Sequence, residues 1–278
     1  MKLPNNLVIA VFAYNRPSHL RRVLISLEDY KIKNIELFLD GPKNFKDKIL
    51  QKEIIDMVRY NKSIKINLIK FNKNNGLAKS ITSGIDHLAK QKKNVVILED
   101  DCIPRKEFFL FILKIIKKNF YIKNTLPICG YQLPEIQKFK DRNVYPLFFK
   151  YFIPWGWFIT SKDWIIYRKY TKQKKKESTI KDKLFLKIKK IVGNKNRKIW
   201  SLEFIEYNLI KNKKKIFPNK SLIKNIGFDG SGVNSSITNK FSTLYSKPKK
   251  INVAKIYQNE SLQKKQLSIL FKRVKYFF

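Results

Sequence analysis

The chain has 278 residues, 44% of them hydrophobic and 14% aromatic, enough to build a sizeable core and too many for a disordered segment. Lys and Arg number 60 against 21 Asp and Glu, a formal charge of +39 that points to anionic partners: nucleic acid, an anionic membrane face or a phosphate-bearing substrate. Two cysteines, Cys102 and Cys129, exclude a disulfide framework, and no apolar run reaches the ~20 residues of a membrane span.

The N-terminal stretch MKLPNNLVIAVFAYNRP lacks a basic region followed by a cleavage site, and its apolar run from Leu7 to Ala13 reads as a buried parallel strand. Pro17 opens a helix in which Leu20, Val23, Leu24 and Leu27 recur at helical spacing, with Arg21 and Arg22 outside. IELFLDGP is a second strand ending in a turn, DKILQKEIIDMVRY a helix and IKINLIKF a third strand. NNGLAKSITSGIDHLAK is a helix with Leu77, Ile81, Ile85 and Leu88 on one face. NVVILEDD is a fourth strand, and KEFFLFILKIIKKNF the helix after it. This alternation predicts a mostly parallel sheet flanked by helices, a Rossmann-like α/β fold.

The second half is less regular. LPICGYQLP suits another strand, FIPWGWFITSKDW gathers three of the four tryptophans, and WSLEFIEYNLIKNKKK reads as a helix. The segment KQKKKESTIKDKLFLKIKKIVGNKNRK is lysine-rich and reads as a solvated helix or excursion. NIGFDGSGVNSS is a glycine-containing loop, either a lid or a plain exposed turn. In LSILFKRVKYFF, Leu267, Leu270, Phe271, Val274 and Phe278 share a stripe edged by Lys272, Arg273 and Lys275. That stripe suits a helix lying on an anionic membrane or packed on the main domain. His19 and His87 read as surface or packing residues.

In open parallel sheets ligands bind beyond the carboxyl ends of the strands. Those ends here are AYNRP, LDGP, FNKNNG and LEDDC, where polar, glycine and acidic residues collect. Glu99, Asp100 and Asp101 are adjacent carboxylates in a chain poor in acids. They are hard ligands suited to Mg²⁺ or Mn²⁺, ions that keep waters and bridge substrate phosphates. Extended backbone would turn Glu99 and Asp101 one way and Asp100 the other. The alternative is an acidic cap or turn before Pro104, which needs one acid and not three that repel. Cys102, a soft thiol beside hard carboxylates, reads as core.

The stretches VFAYNRPSHLRRVLISL, LFLDGP, NNGLAKSI and VVILEDDCIP, in that order, resemble the nucleotide-binding half of GT-A-type glycosyltransferases. The Glu-Asp-Asp form is similar to that of the N-acetylglucosaminyltransferases that start complex N-glycans, and of bacterial sugar transferases of surface polysaccharides. PWGWFITSKDW and FPNKSLIKNIGFDGSGVN continue the resemblance, which covers roughly residues 6 to 235. It implies a domain over 1–235, with a nucleotide-sugar half (1–125) and an acceptor-side half (126–235), and a basic extension over 236–278.

The resemblance also implies roles. Asp101 would be the direct ligand of Mn²⁺ or Mg²⁺. Arg16, Asp40, Asn75, Gly76, Lys79, Glu99 and Asp100 would hold the nucleotide-sugar, with Asp40 on the pyrimidine and the helix start at Asn75–Gly76 offering N–H groups to anionic oxygen. Asp40-Gly41-Pro42 and Asn75-Gly76 are also plain turn sequences. A departing nucleoside diphosphate builds negative charge that a divalent cation stabilises. The acceptor hydroxyl needs a general base, and a single carboxylate base opposite the leaving group inverts configuration. Glu203 matches the family's acid in the helix after the Trp-Gly-Trp segment, with Glu206 next on the same face. Related bacterial chains carry an Asp where this one has Ser201. Trp155 and Trp157 suit either sugar stacking or the core.

The expected activity is metal-dependent, inverting transfer of a sugar from a nucleotide donor, UDP-linked by preference, to a glycan or glycolipid acceptor. The expected location is cytoplasmic, with peripheral attachment to the inner face of the membrane. No specific nucleic acid is expected. The competing readings are a nucleotidyltransferase, which should carry a glycine- and lysine-rich phosphate loop where this chain has AYNRPSH, and a non-catalytic basic nucleic-acid-binding protein.

Overall fold

A computed structural model describes residues 1, 3–33, 35–118, 125–137, 143–173, 182–194, 200–232, 237–242 and 248–277. The first half follows the apolar pattern closely. Strand β1 (Leu7–Ala13), buried at every position, leads into helix α1 (Pro17–Asp29), where Pro17 takes the first turn at no cost in hydrogen bonds. Then follow β2 (Ile35–Leu39), α2 (Phe45–Arg59), β3 (Ile66–Lys70), α3 (Gly76–Lys90) and β4 (Asn94–Glu99). A short strand, β5 (Cys102–Pro104), precedes α4 (Lys106–Lys117).

The second half contributes β6 (Thr125–Cys129), β7 (Pro146–Phe149), β8 (Trp157–Ile159), α5 (Ser161–Gln173), α6 (Lys183–Asn194), α7 (Trp200–Ile210), β9 (Lys214–Pro218), β10 (Ile223–Asn225) and α8 (Glu260–Phe277). One eight-stranded sheet runs β3-β2-β1-β4-β8-β6-β9-β7. The first four strands are mutually parallel, β6 and β9 run the same way, and β8 and β7 are antiparallel to their neighbours. The expected mostly parallel sheet is thus present, with an antiparallel insertion from the second half. The pair β5–β10, together with β7 and β9, was not expected from the sequence. Residues 174–181, 195–199 and 233–236 of the lysine-rich segment and the glycine loop lie outside the described residues, as does the expected boundary at 235.

Order reverses at β1, which has β2 on one side and β4 on the other, so the crevice between β1 and β4 is where an open sheet places its ligand. The core behind it is aromatic. Phe12 and Phe38 stack at 4.9 Å, and Gly84 of α3 lies against both rings, so α3 packs closely on the sheet. Ile81, Ile85 and Leu88 are buried as the periodicity predicts. Leu77, in the first turn of α3, departs from that face and is 44% exposed. On the far side, Trp164 Nε1 and Arg168 Nε of α5 donate to Asp86 of α3, at 2.7 and 3.0 Å.

The described part of the C-terminal stripe is divided between packing and solvent, and Leu262 of the same helix adds to the packing. Leu262 and Leu270 are buried, Leu267 is partly so, and the exposed Phe271 ring is covered by the Lys187 ammonium at 3.7 Å. The side chains of Val274, Lys275 and Phe278 lie outside the described residues. Among the described residues no helix is long and apolar enough to cross a membrane.

Candidate active site

Register brings the strand ends together. Phe12 of β1 pairs with Glu99 of β4, the Asp100 N–H donates to the Phe12 carbonyl at 3.0 Å, and the Asp40 N–H to the Ala13 carbonyl at 3.1 Å. β4 ends at Glu99, and the chain turns there. The expected alternation past Glu99 therefore fails: Asp100 and Asp101 both face Arg16, which follows β1. The Arg16 guanidinium donates to Asp100 and, at 2.9 Å, to Asp101 Oδ2. Burial works against the guanidinium charge, but Asp100 and Asp101 outweigh it and hold Arg16 above its usual range.

Three carboxylates face one guanidinium, and the surplus is visible at Glu99. Burial first, then the charges of Asp101 and Asp100, push its carboxyl up to about 8, with Arg16 opposing. Asp100 is also raised, burial again leading over the counter-pull of Arg16. Cys102 is fully buried, as expected of core; its thiol donates to Asp101 Oδ1 at 3.3 Å. The remaining cover comes from the loop after β10. The Ile226 N–H donates to the Asp101 carbonyl at 2.9 Å, and Gly227 lies so close that a Cβ there would strike the Asp101 carboxylate. A glycine is required at that point for the loop to cross the acids.

Asp40, at the end of β2, is only 4% exposed and fully engaged. Oδ1 accepts from the Gly41 and Asn75 N–H groups at 3.0 and 2.9 Å, and Oδ2 from the Gly76 N–H and Asn74 Nδ2 at 2.9 and 3.2 Å. A carboxylate offers about four acceptor sites, and all are filled. Two expectations are corrected here. Asp40 visibly holds the loop before α3 and is not a free acceptor for a base, and the Asn75 and Gly76 N–H groups are spent on Asp40 and not offered to an anion. The reason is burial: a carboxylate this enclosed needs donors, and the nearest orphan N–H groups are those of the loop and helix start. Lys79 lies one turn into α3, exposed.

The loop after β1 is tied down independently. Tyr14 Oη and Asn15 Nδ2 donate to Asp47 of α2, the latter at 2.7 Å, and the Lys43 N–H reaches the same carboxylate at 3.0 Å. Asp47 sits below its usual range: burial opposes this, but the bonds from Tyr14 and Asn15 prevail. Sequence reasoning missed Asp47; Asn44, two residues after the Gly41-Pro42 turn and three before Asp47, was the available cue, since the Asn44 side chain caps α2 by accepting from the Asp47 N–H at 2.9 Å.

His19 takes the packing role of the two expected for it. It is buried one turn beyond Arg16, and Nε2 lies 3.1 Å from Asp229 Oδ2 and 3.5 Å from Ser231 Oγ, so it pins the glycine loop that crosses Asp101. No local pattern announces a contact between residues 212 apart.

The acceptor side is built on aromatics. Gly156, just before β8, accepts at its carbonyl from the Gly130 N–H at 2.7 Å. Trp157 is fully buried and stacks on Trp200 at 5.6 Å, so it takes the core role and presents no face to a sugar. Trp155 is partly buried, against Tyr131, Phe228 and Phe241. Glu203 lies in the first turn of α7 and is exposed, whereas Glu206 is only 8% exposed; the expected shared face is split between solvent and core. The charge of Glu203 is felt at Tyr167 of α5, whose hydroxyl is raised first by burial and then by this carboxylate.

Among the described residues no three His, Cys, Asp or Glu side chains converge as a metal cage. The donor set still fits a hard divalent ion held by one protein carboxylate: the oxygens of the triplet are hard, and their charge exceeds what Arg16 supplies.

No curated protein is significantly similar to the chain. Among solved structures, a putative glucose-1-phosphate thymidylyltransferase from Bacillus anthracis is similar over 76% of this chain and 85% of that one (9% identity, TM-score 0.42). The mannosyltransferase PcManGT from Pyrobaculum calidifontis, solved with GDP-Man and Mn²⁺, is similar over 74% and 72% (9%, 0.40), and the galactosyltransferase LgtC over 76% and 72% (13%, 0.38). These likenesses are weak and divided between sugar and nucleotide transferases. The family model described as glycosyl transferase family 2 matches residues 8–183, from β1 through the start of α6, and so takes in the whole crevice with Arg16, Asp40 and the acidic strand end. With more than half of its length matched, the chain belongs to glycosyl transferase family 2 and is a glycosyltransferase of mixed α/β, GT-A-type fold.

Proposed function

We propose that the protein is a metal-dependent, inverting glycosyltransferase that moves a sugar from a UDP-linked donor to a hydroxyl of a growing surface glycan, lipid-linked or free. The observation that carries this reading is the meeting of Arg16, Asp100 and Asp101 at the switch point of the sheet, with acidic charge left over.

In this reading Asp101 is the protein ligand of Mn²⁺ or Mg²⁺. A cation held there supplies Lewis-acid stabilisation of the departing nucleoside diphosphate. Arg16 adds a fixed positive charge on the same diphosphate, and Asp100 keeps the guanidinium aimed. Glu99 faces the ribose or sugar. Asp40 acts through the loop it holds, so that Asn75, Gly76 and the exposed Lys79 form one wall of the nucleotide site. Glu203, exposed at the start of α7, is the base that takes the proton of the acceptor hydroxyl, and Trp155 flanks the acceptor. Peripheral attachment to an anionic membrane draws its support from the +39 charge.

Calorimetric titration with a panel of nucleotide-sugars, with and without Mn²⁺, tests the reading on wild type and Asp101→Ala. The expected result is binding of a UDP-sugar that needs both the metal and Asp101. Failure of every nucleotide-sugar with metal present, in a folded protein, overturns it.

A further inference from the structure

Arg16 and a divalent cation would compete for the same carboxylate. The Asp101 side chain is 13% exposed, and among the described residues the Arg16 guanidinium, the Cys102 thiol and the backbone at Gly227 lie against it. The thiol belongs to a fully buried residue of β5, and the glycine backbone is held by the Ile226 bond to the Asp101 carbonyl. Only the guanidinium is on a long, rotatable side chain. Opening Asp101 to a hard cation therefore means moving Arg16.

Arginine does not lose its proton in proteins, so it leaves a pair of carboxylates far more readily when another anion takes it up. A diphosphate matches the guanidinium fork as well as a carboxylate does. We infer that Arg16 is an exchangeable counter-ion: without donor it holds Asp100 and Asp101, and it releases Asp101 to the cation as it moves to the donor's diphosphate. The inference rests on the metal and diphosphate reading proposed above.

Exchange of this kind couples the two ligands through one side chain. Each removes the competitor of the other, so nucleotide tightens cation binding and the cation tightens nucleotide binding by the same factor. An arginine that merely braced the acidic turn would give no such coupling, and its loss would loosen the cation site.

The test is manganese uptake, read by electron paramagnetic resonance against a nucleotide-only control. It uses wild type, Arg16→Gln, Arg16→Lys and Asp101→Asn, with and without UDP, each checked for fold by circular dichroism. For wild type, UDP should tighten manganese binding about tenfold or more. Arg16→Gln should bind manganese about tenfold tighter than wild type without UDP, and should lose most of the UDP enhancement. Arg16→Lys, which keeps the charge without the fork, should fall between, and it carries the test if the glutamine variant does not fold. Asp101→Asn should bind manganese in neither state. Manganese binding by the folded Arg16 variants, without UDP, that is no tighter than wild type overturns the exchange while leaving the metal reading intact. Absence of manganese uptake by wild type with UDP, or uptake that survives Asp101→Asn, overturns the metal reading itself.

Discussion

Two acidic strand ends flank the end of β1 and are compensated in opposite ways. At the end of β2, Asp40 is surrounded by amide donors, three from the backbone and one from Asn74, and none of them carries a charge. At the end of β4, Asp100 and Asp101 share one guanidinium, and burial together with their charges pushes the neighbouring Glu99 up to about 8. The first arrangement satisfies its carboxylate and fixes a loop. The second leaves charge to be met by something that binds. Adjacent acids in one fold can thus be sorted into scaffold and site by asking what balances each.

That contrast can be broken by substitution. Asp101→Ala should lower transfer by about 10³-fold or more, because the reading makes this carboxylate the holder of the Lewis acid, while the melting temperature stays close to wild type. A product assay beside a thermal melt separates the two quantities. Glu203→Gln extends the comparison to an exposed carboxylate. If Glu203 is the base, transfer should fall by roughly 10²- to 10⁴-fold with donor affinity unchanged. Wild-type turnover in that variant would remove Glu203 from the mechanism.

Asp40→Ala should show the reverse pattern to Asp101→Ala. It strands the N–H groups of Gly41, Asn75 and Gly76, at a cost of about 2–4 kcal/mol in stability. Denaturant unfolding of the two alanine variants side by side measures the difference. A stable Asp40→Ala protein that had lost only nucleotide affinity would return Asp40 to direct base recognition.

A buried cation offers the most graded test, small at each step of pH. Lys215 of β9 is fully buried, its ammonium donating to the Lys150 and Lys213 carbonyls at 2.7 and 2.8 Å. Burial lowers it from 10.5 to about 7. Between those values the unfolded chain binds the extra proton, so stability should rise with pH from 7 toward 10, by up to about 1.4 kcal/mol per pH unit from this group. Below pH 7 both states carry the proton and the contribution is flat. Unfolding of wild type and Lys215→Met across this range isolates it: the difference between the two should shift in favour of wild type as pH rises.

Legibility followed sequence separation. The β1 run and the Ile81, Ile85, Leu88 stripe are local patterns, and the structure buries them as their spacing implies. The triplet Glu99–Asp101 stood out because three like charges at a strand end have no packing use. The β5–β10 ladder joins residues near 103 with residues near 224, and the His19–Asp229 contact joins α1 to the last loop of the site. Neither has a periodic signature, since each is set by where distant elements land. Trp157 was ambiguous for a similar reason: an aromatic residue beside glycine serves a pocket or a core, and only the stacking on Trp200 decides.

By itself the amino-acid sequence determined the alternation of strands and helices in the first half, the ends at which polar groups collect, and the excess of acids after β4. Those depend on hydrophobic periodicity and covalent order, which act within a few residues. Tertiary structure alone decided what neutralises each charge: amide donors for Asp40, Arg16 for Asp100 and Asp101, and carbonyls for Lys215. Electrostatic compensation is a matter of distance and burial, and both are set only when strands far apart in the chain are brought into register.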